Sequence, residues 1–186
     1  LRVIAGNLKG RKLAPFKGMG IRPTSDRIRE SIFSILSHRV QGAVVLDLFA
    51  GTGALGIESL SRGARAACFI DHNPHAVALV KKNVDICRLS DRASIIQWNA
   101  AENLNCLRSI PLHFDLVFMD PPYRQNVISS TLSSLCRSGR LEHEASLILE
   151  HSAAESLPEI PPPLSLRDQR KYGKTLVSFL TYMVQE

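Results

Sequence analysis

Short apolar runs, each closed by a polar turn and followed by a helix-spaced segment, leave this chain very few architectures. Val44–Leu48, 66–70, 94–97 and 115–119 read as strands, and 146–150 as a fifth. Helix signals fill the gaps: a segment from the glycine-rich turn to a stop at Gly63, one from Asn73-Pro74 to about Cys87, a short one at 101–109 and one at 126–136. Runs so continuously apolar are buried on both faces, as parallel strands are when helices cover them. After the surface connection 158–163, rigid with proline, 164–170 and 175–183 read as a closing hairpin around Lys171-Tyr172-Gly173-Lys174. The expected fold is α/β, a doubly wound, mostly parallel, seven-stranded Rossmann-like sheet ending in an antiparallel hairpin.

The first forty residues differ in character. Residues 2–6 and 11–14 flank Asn7-Leu8-Lys9-Gly10 and predict a small N-terminal β-hairpin, and 17–20 a flexible link. Pro23-Thr24-Ser25-Asp26 opens a helix with Ile28, Ile32, Ile35 and Leu36 on one stripe. This stretch holds nine Lys/Arg against Asp26 and Glu30, a charge of +7, whereas the whole chain carries +6. We therefore expect a basic extension, 1–40, packed on a near-neutral core, 41–186. Arg2, Lys9, Arg11, Lys12 and Arg27 are its candidate nucleic-acid contacts. A merely solvated charged face is the competing reading.

At 186 residues the chain suits one core, and no run approaches the ~20 apolar residues that cross a bilayer. It begins at Leu1, so leading residues are expected upstream, and no secretory leader is visible. Cys68, Cys87, Cys106 and Cys136 lack paired spacing, and the histidines lack ligand spacing. A reduced, cytoplasmic, metal-free protein without a membrane segment is expected, as a monomer.

Gly51-Thr52-Gly53-Ala54-Leu55-Gly56 follows a strand and opens a helix, with Asp71 twenty positions after Gly51. The same pattern marks dinucleotide sites, so a nicotinamide oxidoreductase is a genuine alternative. Asp47, four positions before the turn, favours a cationic ligand: it sits badly beside a pyrophosphate and well beside the ammonium and sulfonium of S-adenosylmethionine. Phe49, Gly51, Thr52, Gly53 and Asp71 join it as candidate cofactor residues, and Asn99-Ala100 after the third strand would edge an adenine. Asp47 as a helix cap and Asp71 as a turn residue remain open. Trp98 reads as core packing rather than a binding plate.

Asp120-Pro121-Pro122-Tyr123 closes the fourth strand. An exocyclic amine on a nucleobase delocalises its lone pair into the ring and is a poor nucleophile. Two fixed acceptors, the Asp120 carboxylate and the Pro121 carbonyl, can hold its N–H bonds and favour a pyramidal nitrogen. That support grows as charge develops on nitrogen, so it acts on the transition state. The prolines aim the backbone beforehand, and Tyr123 can stack on the base for ~1–3 kcal/mol. Asp120, Pro121, Pro122 and Tyr123 are the candidate catalytic set. The competing reading is an ordinary strand-to-loop turn.

Arg22-Pro23-Thr24-Ser25-Asp26-Arg27-Ile28-Arg29-Glu30-Ser31-Ile32-Phe33, then Asp47 through Gly56, Asp120 through Tyr123 and Tyr172-Gly173-Lys174-Thr175, occur in one order. In that order the chain resembles the RsmD-type bacterial 16S rRNA guanine-N2 methyltransferases over nearly its whole length. The resemblance implies the methyltransferase variant of the doubly wound fold. It also implies methyl transfer from S-adenosylmethionine to the N2 amine of a guanine in 16S ribosomal RNA of the small ribosomal subunit. It assigns Asp47, Gly51, Gly53 and Asp71 to the cofactor and Asp120, Pro121 and Tyr123 to the base. Arg22 and Thr24 would close over the cofactor's methionine end. Asn99 departs from the family, which often has Asp there. Competing functions are an adenine-N6 DNA or RNA methyltransferase, methylation of a protein amide, and a non-catalytic RNA-binding factor.

Overall fold

The computed structural model describes residues 1–15, 25–122, 125–155 and 157–184. Arg22, Thr24, Tyr123 and the expected link at 17–20 lie outside the described residues. In chain order the elements are α1 (Asp26–Leu36), β1 (Val44–Leu48), α2 (Ala54–Ser61), β2 (Ala66–Asp71), α3 (Pro74–Cys87) and β3 (Ala93–Gln97), then β4 (Phe114–Met119), α4 (Gln125–Arg137), β5 (Leu141–Ser152), β6 (Leu164–Tyr172) and β7 (Thr175–Tyr182).

All seven strands form one sheet in the order β3-β2-β1-β4-β5-β7-β6. The pairings among β1 to β5 are parallel, while β7 runs antiparallel to both β5 and β6. This is the seven-stranded Rossmann-like sheet expected from the apolar runs. Alternation along the strands feeds two cores. Val45, Phe69 and Phe118 pack on one face with Phe33 of α1, Ile57 of α2 and Val80 of α3. Leu46, Ile70 and Val117 pack on the other with Leu132 and Leu135 of α4. Strand order reverses between β1 and β4, and their following helices leave to opposite faces. A crevice therefore opens beyond the C-terminal ends of these two strands.

Several expectations need correction. Only Asn105–Ser109 of the 101–109 segment is helical, as a 3-10 turn, because the chain before it is occupied by side-chain turns at Asn99 and Asn103. The fifth strand begins at Leu141, not 146, crossing a register shift between Phe114 and Leu116 of its partner with Glu144 at φ 62°. Its polar start hid this extension. The N-terminal hairpin forms as expected: Arg2 is bridged to Lys12, and backbone N–H groups of Val3, Gly10 and Leu13 donate to the carbonyls of Arg11, Val3 and Leu1.

Helix α2 anchors this short hairpin to the core. Glu58, fully buried, accepts hydrogen bonds from the N–H groups of Ile4 (2.7 Å) and Ala5 (3.0 Å) and from Nε of Arg62 (2.7 Å). Ser61 accepts from Leu8 N–H and donates to the Ala5 carbonyl. Gly6 approaches so closely that a Cβ would stand 1.9 Å from the Ser61 carbonyl oxygen. Arg62 in turn covers the Phe33 ring at 4.6 Å, and Phe33 packs on Phe118, two residues before Asp120. No described helix is long and apolar enough to cross a membrane, and all four cysteines are free.

Candidate active site

Four acids gather at one edge of the sheet. Asp47 stands opposite Phe69 in β2 and Phe118 in β4, and Met119 stands opposite Leu149 in β5. Strand alternation therefore puts Asp47, Asp71, Asp120 and Glu150 on the α1–α3 face, at or just past the C-terminal ends of four adjacent strands.

Asp47 is buried, and its Oδ2 accepts one hydrogen bond, from the N–H of Gly56 at 2.9 Å. Helix α2 starts at Gly53 without a side-chain cap, so Asp47 takes one of the N–H groups that a helix start leaves unpaired. A Cβ on Gly56 would meet the Phe69 ring at 2.3 Å, so glycine is what lets α2 press against β2 here. Burial, with Asp71 adding repulsion against the help of Gly56, pushes the Asp47 carboxyl from 3.8 up to about 7. Among the described residues Asp47 takes part in no ion pair, and a positive ligand group beside it would supply the missing charge.

Asp71 is better provided for. Its Oδ2 accepts from Gly51 N–H at 2.9 Å and its Oδ1 from Asn73 N–H at 2.9 Å. It thereby ties the glycine loop to the start of α3, where Asn73 caps the helix through His75 N–H. Beside it lies a cleft of about 300 Å³ lined by His72, Gln97, Trp98, Asn99, Glu102 and Asn103. Trp98 is half-buried, its Nε1 donating to the Asn103 carbonyl, so it packs on the core and also offers a flat wall to the cleft. Asn99 turns inward on its own loop: Nδ2 donates to Glu102 and Oδ1 accepts from Ala101 N–H. Ala100 is buried. Phe49, half-buried, precedes the loop at φ 57°, and Thr52 is buried with its carbonyl accepting from Asn83 Nδ2 at 2.9 Å.

Across the crevice, Asp120 follows β4, with Pro121 buried and Pro122 exposed. Burial first, then the charges of Glu150 and Asp47, raises the Asp120 carboxyl well above the ordinary range. Glu150 is the neighbour that sequence reasoning passed over. The available signal was an acid closing the apolar run Leu147-Ile148-Leu149, as Asp120 closes β4.

The basic residues are less concentrated than the charge count implies. Arg2, Lys9, Arg11, Lys12 and Arg27 are exposed. Arg2 pairs with Asp26 at 3.2 Å, and Arg29 is fully buried, held by Asp26 and the Arg2 carbonyl. Arg29 therefore cannot meet a polyanion, and part of the +7 is spent inside the fold. Asn83 was not anticipated at all. Buried on α3, it accepts from Ala14 N–H at 2.7 Å and donates to the Ala14 and Thr52 carbonyls, joining the N-terminal segment to the glycine loop.

Comparison with known proteins gives this geometry a context. A family described as conserved hypothetical protein 95 matches residues 1–181. The ribosomal RNA small subunit methyltransferase D of Haemophilus influenzae is 36% identical over 151 residues, 81% of this chain and 78% of that relative. Its Escherichia coli K12 counterpart is 34% identical over 174 residues, covering 94% of this chain and 86% of the relative. A solved Escherichia coli structure described as a methyltransferase superposes with a TM-score of 0.87 at 32% identity, covering 100% of this chain and 99% of that one.

Proposed function

The chain belongs to the ribosomal RNA small subunit methyltransferase D family, and from that premise we propose that it methylates the exocyclic N2 amine of a guanine in 16S ribosomal RNA, in the small ribosomal subunit. The observation that carries this reading is the placing of Asp120-Pro121 across the switch-point crevice from the glycine loop, on the same sheet face as Asp47.

The residues present fit S-adenosylmethionine. Asp47, buried with a single hydrogen bond, suits the ammonium of a methionine moiety. Gly51, Thr52 and Gly53 let backbone approach closely, Asp71 suits ribose hydroxyls, and the cleft beside Trp98, Asn99 and Ala100 suits a flat base. When bound, the cofactor supplies an electrophilic methyl group on a cationic sulfur. The protein's part is to prepare the nucleophile. Asp120 and the Pro121 carbonyl accept the amine's N–H bonds and turn its lone pair outward, and the raised proton affinity of Asp120 equips it to take up the proton the nitrogen sheds. Pro122 fixes the turn, and Tyr123 is assigned to stack on the base face. Arg22 and Thr24 are assigned to the methionine end. The exposed basic residues of the N-terminal segment supply phosphate contacts, and extraction of the guanine from its stack precedes transfer. We place the enzyme in the cytoplasm, acting as a monomer.

Small subunits from cells lacking the enzyme, incubated with it and a labelled methyl donor, should acquire N2-methylguanosine, identified by nuclease digestion and mass analysis. N6-methyladenosine as the product would select the adenine reading, and no transfer would overturn both. Calorimetric titration should detect S-adenosylhomocysteine and not NAD; the reverse would restore the oxidoreductase.

A further inference from the structure

The segment Tyr172-Gly173-Lys174-Thr175 takes no part in the chemistry above, yet the sheet delivers it to the same edge. In the antiparallel pairing of β5 with β7, Glu150 faces Val177 and Ser152 faces Thr175. Tyr172 faces Thr175 across β6 and β7. The two-residue turn Gly173-Lys174 therefore lies just beyond the C-terminal end of β5, with β5 between it and the strand that leads to Asp120. Its place is fixed by a hydrogen bond between the Tyr172 hydroxyl and Oγ of Ser31 on α1. Arg27 sits one helical turn before Ser31 on the same side of α1 and is exposed.

Charge at this tip is out of balance. Asp168 occupies Arg170 at 2.8 Å. Lys171 and Lys174 are exposed, and neither takes part in an ion pair among the described residues. Lys174, in the turn, stands at the end of the sheet where Asp47, Asp71, Asp120 and Glu150 collect, while Lys171, opposite Leu176, stands at the same tip on the α4 side. That acidic crevice suits a cationic cofactor and an amine, but it repels the phosphates flanking the target base. A polyanion can bring one base into such a crevice only if cations at the rim offset the repulsion.

We propose that the β6–β7 tip, through Lys174 in the turn and Lys171 on its α4 side, is a phosphate-docking surface that meets the RNA backbone next to the target nucleotide, with Arg27 of α1 flanking it on the other side of the sheet. The proposal rests on the RNA-methyltransferase reading above. Contacts of this kind position the substrate without reading its sequence. Lysines on an edge strand also discourage strand-to-strand association, and that role has a different experimental signature.

The test is the double variant Lys171→Gln/Lys174→Gln. Its binding to protein-free small-subunit ribosomal RNA is measured from about 50 to 200 mM salt, with S-adenosylhomocysteine affinity and sedimentation in parallel. Losing two phosphate contacts should shrink the slope of log affinity against log salt by about 1.5 and weaken binding roughly tenfold at low salt. Cofactor affinity and sedimentation should match wild type. Salt-dependent wild-type binding with an unchanged slope in the variant overturns the docking surface alone. Self-association of the variant with an unchanged slope assigns the lysines to edge protection and also overturns it. A wild-type enzyme indifferent to RNA removes the RNA reading and this surface together.

Discussion

The seam between the N-terminal segment and α2 and the strand-tip edge beside β1 and β4 both bury acids, and they treat them oppositely. At the seam, Glu58 receives three donors from its own chain, two backbone N–H groups and Arg62. At the edge, Asp47 receives one backbone donor, and Asp120 lies among other acids. The first acid is satisfied by the fold and holds it together. Burial raises the Asp47 carboxyl to about 7 and the Asp120 carboxyl well above the ordinary range, and a positive ligand group would complete them. A buried carboxylate thus reports function through what it lacks, not through its burial.

The largest separation between the regions should appear at Asp120. Asp120→Ala should lower turnover by about 10³-fold while leaving S-adenosylhomocysteine affinity near wild type, by single-turnover kinetics and calorimetry. Glu58→Ala should do the converse. Two buried N–H groups and Arg62 lose their acceptor, costing about 3 kcal/mol in denaturant unfolding, with cofactor affinity unaltered in the folded fraction.

Asp47→Asn separates the regions by sign. The amide oxygen can still accept from Gly56, but cofactor affinity should fall about 10- to 100-fold with the lost charge. Stability should not fall with it. The folded Asp47 carboxyl, at about 7, lies above its ordinary 3.8. Its contribution to stability is therefore full below the lower value and is lost as pH rises through the higher one. Unliganded wild type should lose stability across that window, and Asp47→Asn should flatten the decline in thermal melts. Asn83→Leu, which touches both regions, should show the smallest and most mixed effect: about 2 kcal/mol of stability and a several-fold loss of cofactor affinity.

What could be read from the sequence follows from the range of each interaction. Strands β1 to β4 announce themselves because continuous apolar runs reflect burial on both faces, a local property. Asp47, the glycine loop and Asp120-Pro121 stand out because ligand-facing groups sit at strand ends, where acids and glycines break the apolar pattern. Glu58, Ser61 and Asn83 looked like ordinary polar positions on helices. Their partners in the N-terminal segment lie 53 to 69 residues away, as in Ala5 to Glu58, Leu8 to Ser61 and Ala14 to Asn83, so no local pattern marks these contacts. Arg29 was hidden differently: a charge count cannot show that Asp26, one helical turn away, and the Arg2 carbonyl hold it inside. The start of β5 escaped because Glu142, His143 and Glu144 are exposed on a strand that is half solvated before it enters the core.

The most direct test of the incomplete edge is the proton released when S-adenosylhomocysteine binds, measured by calorimetry in buffers of different ionisation enthalpy. Near pH 6 the unliganded Asp47 is mostly protonated, given its value of about 7. Binding should therefore expel close to one proton there and almost none near pH 8.5, with Asp47→Asn losing most of the difference. Equal proton release at both pH values, or a wild-type profile in Asp47→Asn, would contradict an acid waiting for the cofactor's charge.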